Sequence, residues 1–222
     1  PDAISDRDGA HQPRVREVRN VYYRADTIGW RGDTRRQLFH LDVVSGQTYR
    51  LTRGDYDHAN PVVSPDSKTI AFVSSDRSAT RNRKRRGGEL CLISAEGGSI
   101  TRLVRRMNVE RPAWAPDGGT IAFVGSEASE GMQPHPFLHV KDLNGDTHKD
   151  RPHRITDDRI SPQVGSFLVS DGPPLLWVNR RLVFVADSRA TSGIYSVTPS
   201  GNKLRAERSR KEAITGFSGT PD

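Results

Sequence analysis

The residues of this chain that could do chemistry are few and poorly grouped. Asp142-Leu-Asn-Gly-Asp146 offers oxygen donors at alternating positions, as calcium loops do. It then departs from that pattern: Gly145 comes too early, and His153 stands where a bidentate Glu belongs. A hairpin turn accounts for the segment. His135 and His139 are spaced to share a helix face, but Pro134 and Pro136 forbid a regular helix there. On a strand the two rings would lie roughly 13 Å apart, so no metal pair is expected. Cys91, the single cysteine, sits in the strand-like run Glu89-Leu-Cys-Leu-Ile-Ser94. It reads as a buried small hydrophobe rather than a nucleophile. Arg81-Asn-Arg-Lys-Arg-Arg86 is the densest positive cluster; no aromatic residue interleaves it, so base stacking is not suggested and a solvated loop is expected. Asp55-Tyr-Asp-His58 reads as a polar loop between repeats. His58, Arg31 and the Arg81–Arg86 segment are the residues that would face a substrate or partner domain, at an end of the fold that the sequence leaves open. No phosphate-binding glycine loop is present. No catalytic, cofactor-binding or metal-ligating residue is therefore assigned, and no cofactor is expected.

What must position any such residues is a repeat. Pro61-Val-Val-Ser-Pro-Asp-Ser-Lys-Thr-Ile-Ala-Phe-Val-Ser-Ser-Asp-Arg77 is matched by Pro112-Ala-Trp-Ala-Pro-Asp-Gly-Gly-Thr-Ile-Ala-Phe-Val-Gly-Ser-Glu127. Pro174-Leu-Leu-Trp-Val-Asn-Arg-Arg-Leu-Val-Phe-Val-Ala-Asp-Ser-Arg189 is a worn third copy. A second strand pair follows each: Glu89–Val104, then Phe137–Asp146 with His153–Thr156, then Gly193–Leu204. An earlier pair is Gln37–Thr52. Three of these pairs end at Thr52, Val104 and Thr156, evenly spaced. Four short strands per unit at a period of roughly 50 residues describe a β-propeller blade. Ser64-Pro-Asp66 and Ala115-Pro-Asp117 place Pro where a fixed φ starts a turn, with Asp following. Ala95-Glu-Gly-Gly98 and Leu143-Asn-Gly-Asp146 supply hairpin turns.

The expected fold class is all-β, a propeller of four-stranded antiparallel blades with about four present as a partial ring. Residues 1–17 are a lead-in. The partial propeller spans 18–222, with blades at 18–56, 57–107, 108–158 and 159–216, and the start of another at 217–222. The fourth has a long entry from Ser161 to Pro174. A chain that begins and stops inside a repeat looks cut from a larger ring. Ile70, Phe72, Ile121, Phe123, Val183 and Val185 are predicted to be buried at equivalent strand positions.

Composition narrows the class further. The chain has 222 residues, of which 33% are apolar, and no run approaches the roughly 18 apolar residues of a spanning helix. Net charge is +7, scattered mostly through turns. Neither a nucleic-acid nor a membrane partner is expected. One cysteine cannot form an internal disulfide, which suits a reducing, cytoplasmic compartment.

The phrase Ser-Pro-Asp-Ser-Lys-Thr-Ile-Ala-Phe-Val-Ser-Ser-Asp-Arg77 resembles the repeat shared by the Tol-system propeller and the propellers of the prolyl oligopeptidase family. Two further stretches resemble the second, in its acylaminoacyl-peptidase and dipeptidyl aminopeptidase branch. One is Tyr23-Arg-Ala-Asp-Thr-Ile-Gly-Trp-Arg-Gly-Asp-Thr-Arg-Arg-Gln-Leu-Phe-His-Leu-Asp42. The other is Ser170-Asp-Gly-Pro-Pro-Leu-Leu-Trp177 with Val183–Arg189 and Gly193-Ile-Tyr195. The resemblance covers about residues 13–222. It implies a propeller capping an α/β-hydrolase domain of the same protein, peptide substrates, and acyl-serine hydrolysis at or near an acylated or free N-terminus, carried out by residues outside this chain. A homo-oligomer is left open. The nucleophile elbow needs Gly two places before and two after its Ser. Ser218, in Gly216-Phe-Ser-Gly219, has its second Gly one place early, and Ser166 after Gly165 has no second Gly. The rival expectation is a freestanding binding propeller of the Tol-system type.

Overall fold

Short apolar runs bounded by turn residues cannot bury a helical stripe, but they can bury both faces of a narrow sheet. In the computed structural model, every regular element among the described residues is accordingly a strand. The structure describes residues 24–25, 29–30, 34–76, 88–127, 135–145, 151–164, 172–189, 191–210, 214 and 216–219. Two short ladders come first, β1 (Arg24–Ala25) with β2 (Gly29–Trp30), and β3 (Phe39–Leu41) with β4 (Thr48–Arg50). A four-stranded antiparallel sheet follows in chain order: β5 (Tyr56–Val63), β6 (Thr69–Asp76), β7 (Glu89–Ser94) and β8 (Thr101–Val104). The next repeats it with β9 (Met107–Trp114), β10 (Thr120–Glu127), β11 (Phe137–Asp142) and β12 (His153–Arg154). The last sheet holds β13 (Ser161–Pro162), β14 (Leu176–Val178), β15 (Arg181–Ser188), β16 (Thr191–Val197) and β17 (Arg205–Arg210). Contacts between sheets run chiefly through their first strands: β5 meets β9, and β9 meets β14.

The turn into each second strand shows how sequence sets geometry. The Ser67 amide donates to the Ser64 carbonyl, and Gly118 does the same to Ala115, both at 2.9 Å. The residue after each Pro-Asp is left-handed, Ser67 at φ 62° and Gly118 at φ 72°. The third copy replaces this five-residue link by Asn179 and Arg180, both at positive φ, which is the two-residue hairpin whose twist matches the strands.

Cross-strand register aligns the repeats residue by residue. Phe72 faces Cys91, Phe123 faces His139, and Phe184 faces Tyr195. Ile70, Ile121 and Leu182 hold the position two before. These large residues point at the preceding blade. Their small neighbours point at the next one, so Ile121 and Phe123 share a core with Ala71, Val73 and Leu90. Leu182 and Phe184 share one with Ala122, Val124 and Leu138. Large side chains thus enter a surface of small ones, which allows native packing density between flat sheets. Of the residues expected to be buried, Phe72, Ile121, Phe123 and Val185 are fully so. Ile70 and Val183 are half-buried, and the true counterparts of Ile70 and Phe72 in the third copy are Leu182 and Phe184.

Two other departures have physical causes. The last sheet has five strands, not four, because its first strand is split: β13 pairs with Ala186 and Asp187, and β14 with residues 181–183. The break falls where β5 and β9 carry their bulges, between Ala59 and Val62 and opposite Ala122 to Val124. The interruption between β13 and β14 thus falls at the bulge position of the other blades. Tyr56, Asp57 and His58 lie in strand β5, not in a loop, and Asp57 and His58 are buried.

Candidate functional site

The first strand of each blade lies where the sheets converge, and its polar residues are the ones the fold gathers. On β5 the ladder sets His58 across from Ser74, and Ser74 across from Glu89 on β7. His58 is 3% exposed. Its ring lies edge-on to Phe72 at 5.2 Å and stacks on Tyr56 at 6.4 Å. Neither ring nitrogen has a hydrogen-bond partner. Burial lowers its pKa, opposed by the Asp57 carboxylate. Tyr56 is capped by Arg102, whose guanidinium sits 5.6 Å from the ring and 3.6 Å from the Glu89 carboxylate.

Asp57 alternates to the other side of the strand. Its Oδ1 accepts the Arg36 backbone N–H at 2.7 Å, while the His58 amide donates to the Arg36 carbonyl at 3.0 Å. The Val109 amide donates to Gly88 at the matching place in the next blade, at 2.8 Å. Arg35 pairs with Asp55 at 2.7 Å, and Gln37 donates to the Gly54 and Tyr56 carbonyls. Ser74, His58 and Asp57 are thus adjacent in the ladder without forming a nucleophile, base and orienting carboxylate. His58 bonds to neither, and Asp57 is on the opposite face.

A second polar centre lies in the bulge of β9. Arg111 and its counterpart Asn60 are both left-handed, at φ 49° and 52°. Arg111 is 7% exposed and donates its Nη1 to the Pro173 carbonyl, joining β9 to the segment that leads into β14. Burial brings its pKa down to about 10, with Glu110 opposing. The sequence singles out His58 but reads its segment as a loop, and it does not single out Arg111. The signal was present in the repeat alignment, where Asp57-His58 and Asn60 match Asn108-Val109 and Arg111 in strands otherwise built to be buried.

The residues weighed as chemistry in the sequence do not come together. His139 is buried in β11 against the Phe123 ring at 5.3 Å, with its pKa lowered to about 4, chiefly by burial. His135 is exposed and lies against Phe137 instead. Asp142 Oδ1 accepts the Asn144 amide at 2.8 Å, an Asx turn of the kind that ends a strand. Cys91 is buried and free, its thiol pushed up to about 12 first by burial and then by Glu89. Ser218 lies in irregular chain among the described residues. Arg31, Arg81–Arg86, Asp146 and Ser166 lie outside them.

No protein-family model matches the chain. It is 29% identical over 85 residues to the uncharacterized peptidase YuxL of Bacillus subtilis, covering 38% of this chain and 12% of the relative. It is 27% identical over 113 residues to the Tol-Pal system protein TolB of Hahella chejuensis, covering 47% and 24%. Among solved structures, an oligogalacturonate lyase matches with TM-score 0.56 at 14% identity over 79% of this chain and 48% of that one. A prolyl endopeptidase matches with TM-score 0.53 at 16% identity over 77% and 25%. The chain therefore spans less than half the length of each of these four proteins. Its blades, their first-strand contacts and these likenesses agree on one architecture: the chain is a β-propeller domain built of antiparallel blades.

Proposed function

We propose that this chain is the non-catalytic propeller of a serine peptidase of the prolyl oligopeptidase family, of the acylaminoacyl-peptidase or dipeptidyl aminopeptidase kind. The observation that carries the reading is the 29% identity to a peptidase over 85 residues, joined to propeller neighbours that include a prolyl endopeptidase. In this reading the propeller caps an α/β-hydrolase domain of the same cytoplasmic protein and admits short peptides while excluding folded ones. The hydrolase cleaves an amide at or near an acylated or free peptide N-terminus through a serine ester. The accessible Tyr56–Arg102 pair beside buried His58 is the group that would meet a peptide.

The likeness to TolB supports a second reading, a freestanding binding propeller with no catalytic domain. Sequencing the coding DNA on both sides separates the two. The peptidase reading expects a Gly-x-Ser-x-Gly elbow followed by Asp and His, and a fluorophosphonate probe that labels the whole protein but not this chain. A complete frame without the elbow, behind a secretory leader, overturns it in favour of the scaffold.

A further inference from the structure

Asp142-Leu-Asn-Gly-Asp146 takes no part in the polar centres described above, yet it contains the single Asn-Gly pair of the chain. Its turn leaves the end of β11 and has equivalents in two other copies. Asp142 faces Thr120 as Ser94 faces Thr69, and Thr198 follows Val197, which faces Leu182. Gly145 therefore matches Gly97 and Gly201. Those two glycines are left-handed, at φ 87° and 77°. Each donates its amide to the carbonyl three residues back, Gly97 to Ser94 and Gly201 to Thr198, both at 2.9 Å. Gly145 does neither: it is not left-handed, and among the described residues no acceptor takes its amide. The turn is held instead by the Asn144 amide on Asp142 Oδ1 at 2.8 Å and the Leu143 amide on the Gly119 carbonyl at 2.9 Å.

Asn144 and Gly145 are both exposed. The Asn144 carboxamide lies over Gly119, where a Cβ would stand 2.5 Å from Nδ2. The preceding copy has Lys68 at that place and Glu96 in the facing turn. An amide nitrogen with no acceptor, on a residue with no Cβ to shield it, thus directly follows a solvated carboxamide.

We infer that Asn144 is a site of spontaneous covalent modification, converted in the folded chain to aspartate and isoaspartate through attack by the Gly145 amide. The Gly145 nitrogen gives its proton to water and bonds to Asn144 Cγ. The Cγ–Nδ2 bond breaks, and Nδ2 takes up a proton and leaves as ammonia, so a cyclic imide joins the two residues. Water then opens the imide. Addition at Cγ gives aspartate. Addition at the backbone carbonyl carbon gives isoaspartate, whose main chain runs through the side-chain methylene. No oxidant or reductant is needed. Either product sets a carboxylate beside that of Asp142, which already accepts the Asn144 amide. Isoaspartate also lengthens the chain just after Leu143, which packs on the core of Ile121 and Phe123 and is anchored to Gly119. Modification therefore loosens this turn. The inference concerns the chain itself and is the same for a peptidase cap and for a binding scaffold.

Ageing of the 222-residue chain in mildly alkaline buffer, folded or held unfolded in urea, tests it by peptide mass mapping. The expected result is loss of the Asn144 carboxamide before that of any other asparagine, at similar rates in both samples, with isoaspartate among the products. Gly145→Ala, at a place that needs no left-handed backbone, should abolish this early loss. Asn144→Gln keeps a carboxamide but disfavours the ring, and should abolish it too. The urea midpoint of the aged parent should fall, and that of aged Asn144→Gln should hold. Loss of the Asn144 carboxamide in urea alone overturns the proposal, because the folded turn then keeps the two groups apart. Early loss that persists in Gly145→Ala overturns the Gly145 amide as the attacking group. A fully converted chain with an unchanged midpoint overturns the loosening of the turn.

Discussion

Trp114 donates its indole N–H to the carbonyl oxygen of Val62 at 3.1 Å, crossing from the first strand of one blade to the first strand of the blade before it. Trp177 repeats the contact on Ala113 at 3.2 Å, and the ladders set Trp114 and Trp177 at equivalent places beside Ile121 and Leu182. The repeat therefore includes a polar stitch between blades as well as an apolar one. Val63, the residue at that place in the earlier copy, has no such donor and is 56% exposed.

Removing the stitch while keeping an aromatic ring should be measurable. Trp114→Phe leaves the Val62 carbonyl without its donor and should cost about 1–2 kcal/mol. The urea midpoint should fall with little change in slope, and Trp177→Phe should act alike. An unchanged midpoint in both variants would mean that water replaces the indole at no cost.

Phe123→Ala should be far more damaging. Phe123 is fully buried, packs against Ala71, Val73 and Leu90, and stacks on His139. Truncation opens a cavity between two sheets and should cost about 3–5 kcal/mol. Calorimetry of the variant beside Val63→Ala, an exposed control, reads the difference.

Stability should fall as pH drops from about 6.5 toward 4. Burial holds the folded-state pKa of His139 near 4, while the unfolded ring titrates at its ordinary 6.5. The unfolded chain binds the extra proton in that window, so acid favours unfolding. At about 1.4 kcal/mol per pKa unit, the loss approaches about 3 kcal/mol at the acid end. His58, also lowered by burial, adds in the same direction. His139→Phe keeps the stack on Phe123, as the aromatic Tyr195 does on Phe184, and should flatten the urea midpoint between pH 7 and 4.5. A slope identical to that of the parent would assign the acid sensitivity elsewhere.

Ser67→Gly should stabilise the chain. Ser67 sits at φ 62°, where its counterpart is Gly118. Relief of the left-handed penalty is worth about 1 kcal/mol and is partly offset by the greater freedom of glycine when unfolded. A rise in melting temperature with unchanged circular dichroism is the expected reading, and a fall would show that the Ser67 side chain contributes more than its backbone costs.

The architecture was legible in the linear sequence because it rests on local signals. Period, Pro-Asp turns and the Ile-Ala-Phe-Val runs are set by φ restriction and alternation, which act between near neighbours. The evenly spaced ends at Thr52, Val104 and Thr156 likewise mark real equivalence. The Thr52 hydroxyl accepts the Leu38 amide, and the Thr156 hydroxyl accepts the Leu138 amide, both at 2.9 Å. Val104 has no hydroxyl, and there the ladder itself pairs Leu90 with Val104.

The candidate site was not legible, because it depends on which face of a strand meets which neighbour. Asp55-Tyr-Asp-His58 has the composition of a loop. Only the pairing of β5 with β6, and of His58 with the carbonyl of Arg36, buries Asp57 and His58 in the sheet. Ser161 to Pro174 looks like an irregular entry, yet β15 aligns Pro162 at its start and Leu176 just beyond its end as parts of one interrupted strand. Arg111 becomes a bridge to Pro173 through a bulge that breaks alternation, and a one-residue shift in register moves a side chain to the other face. Local steric preference and periodicity wrote the blades into the sequence. The long-range pairing that decides where each polar side chain is desolvated, and against what, exists only in the folded sheet.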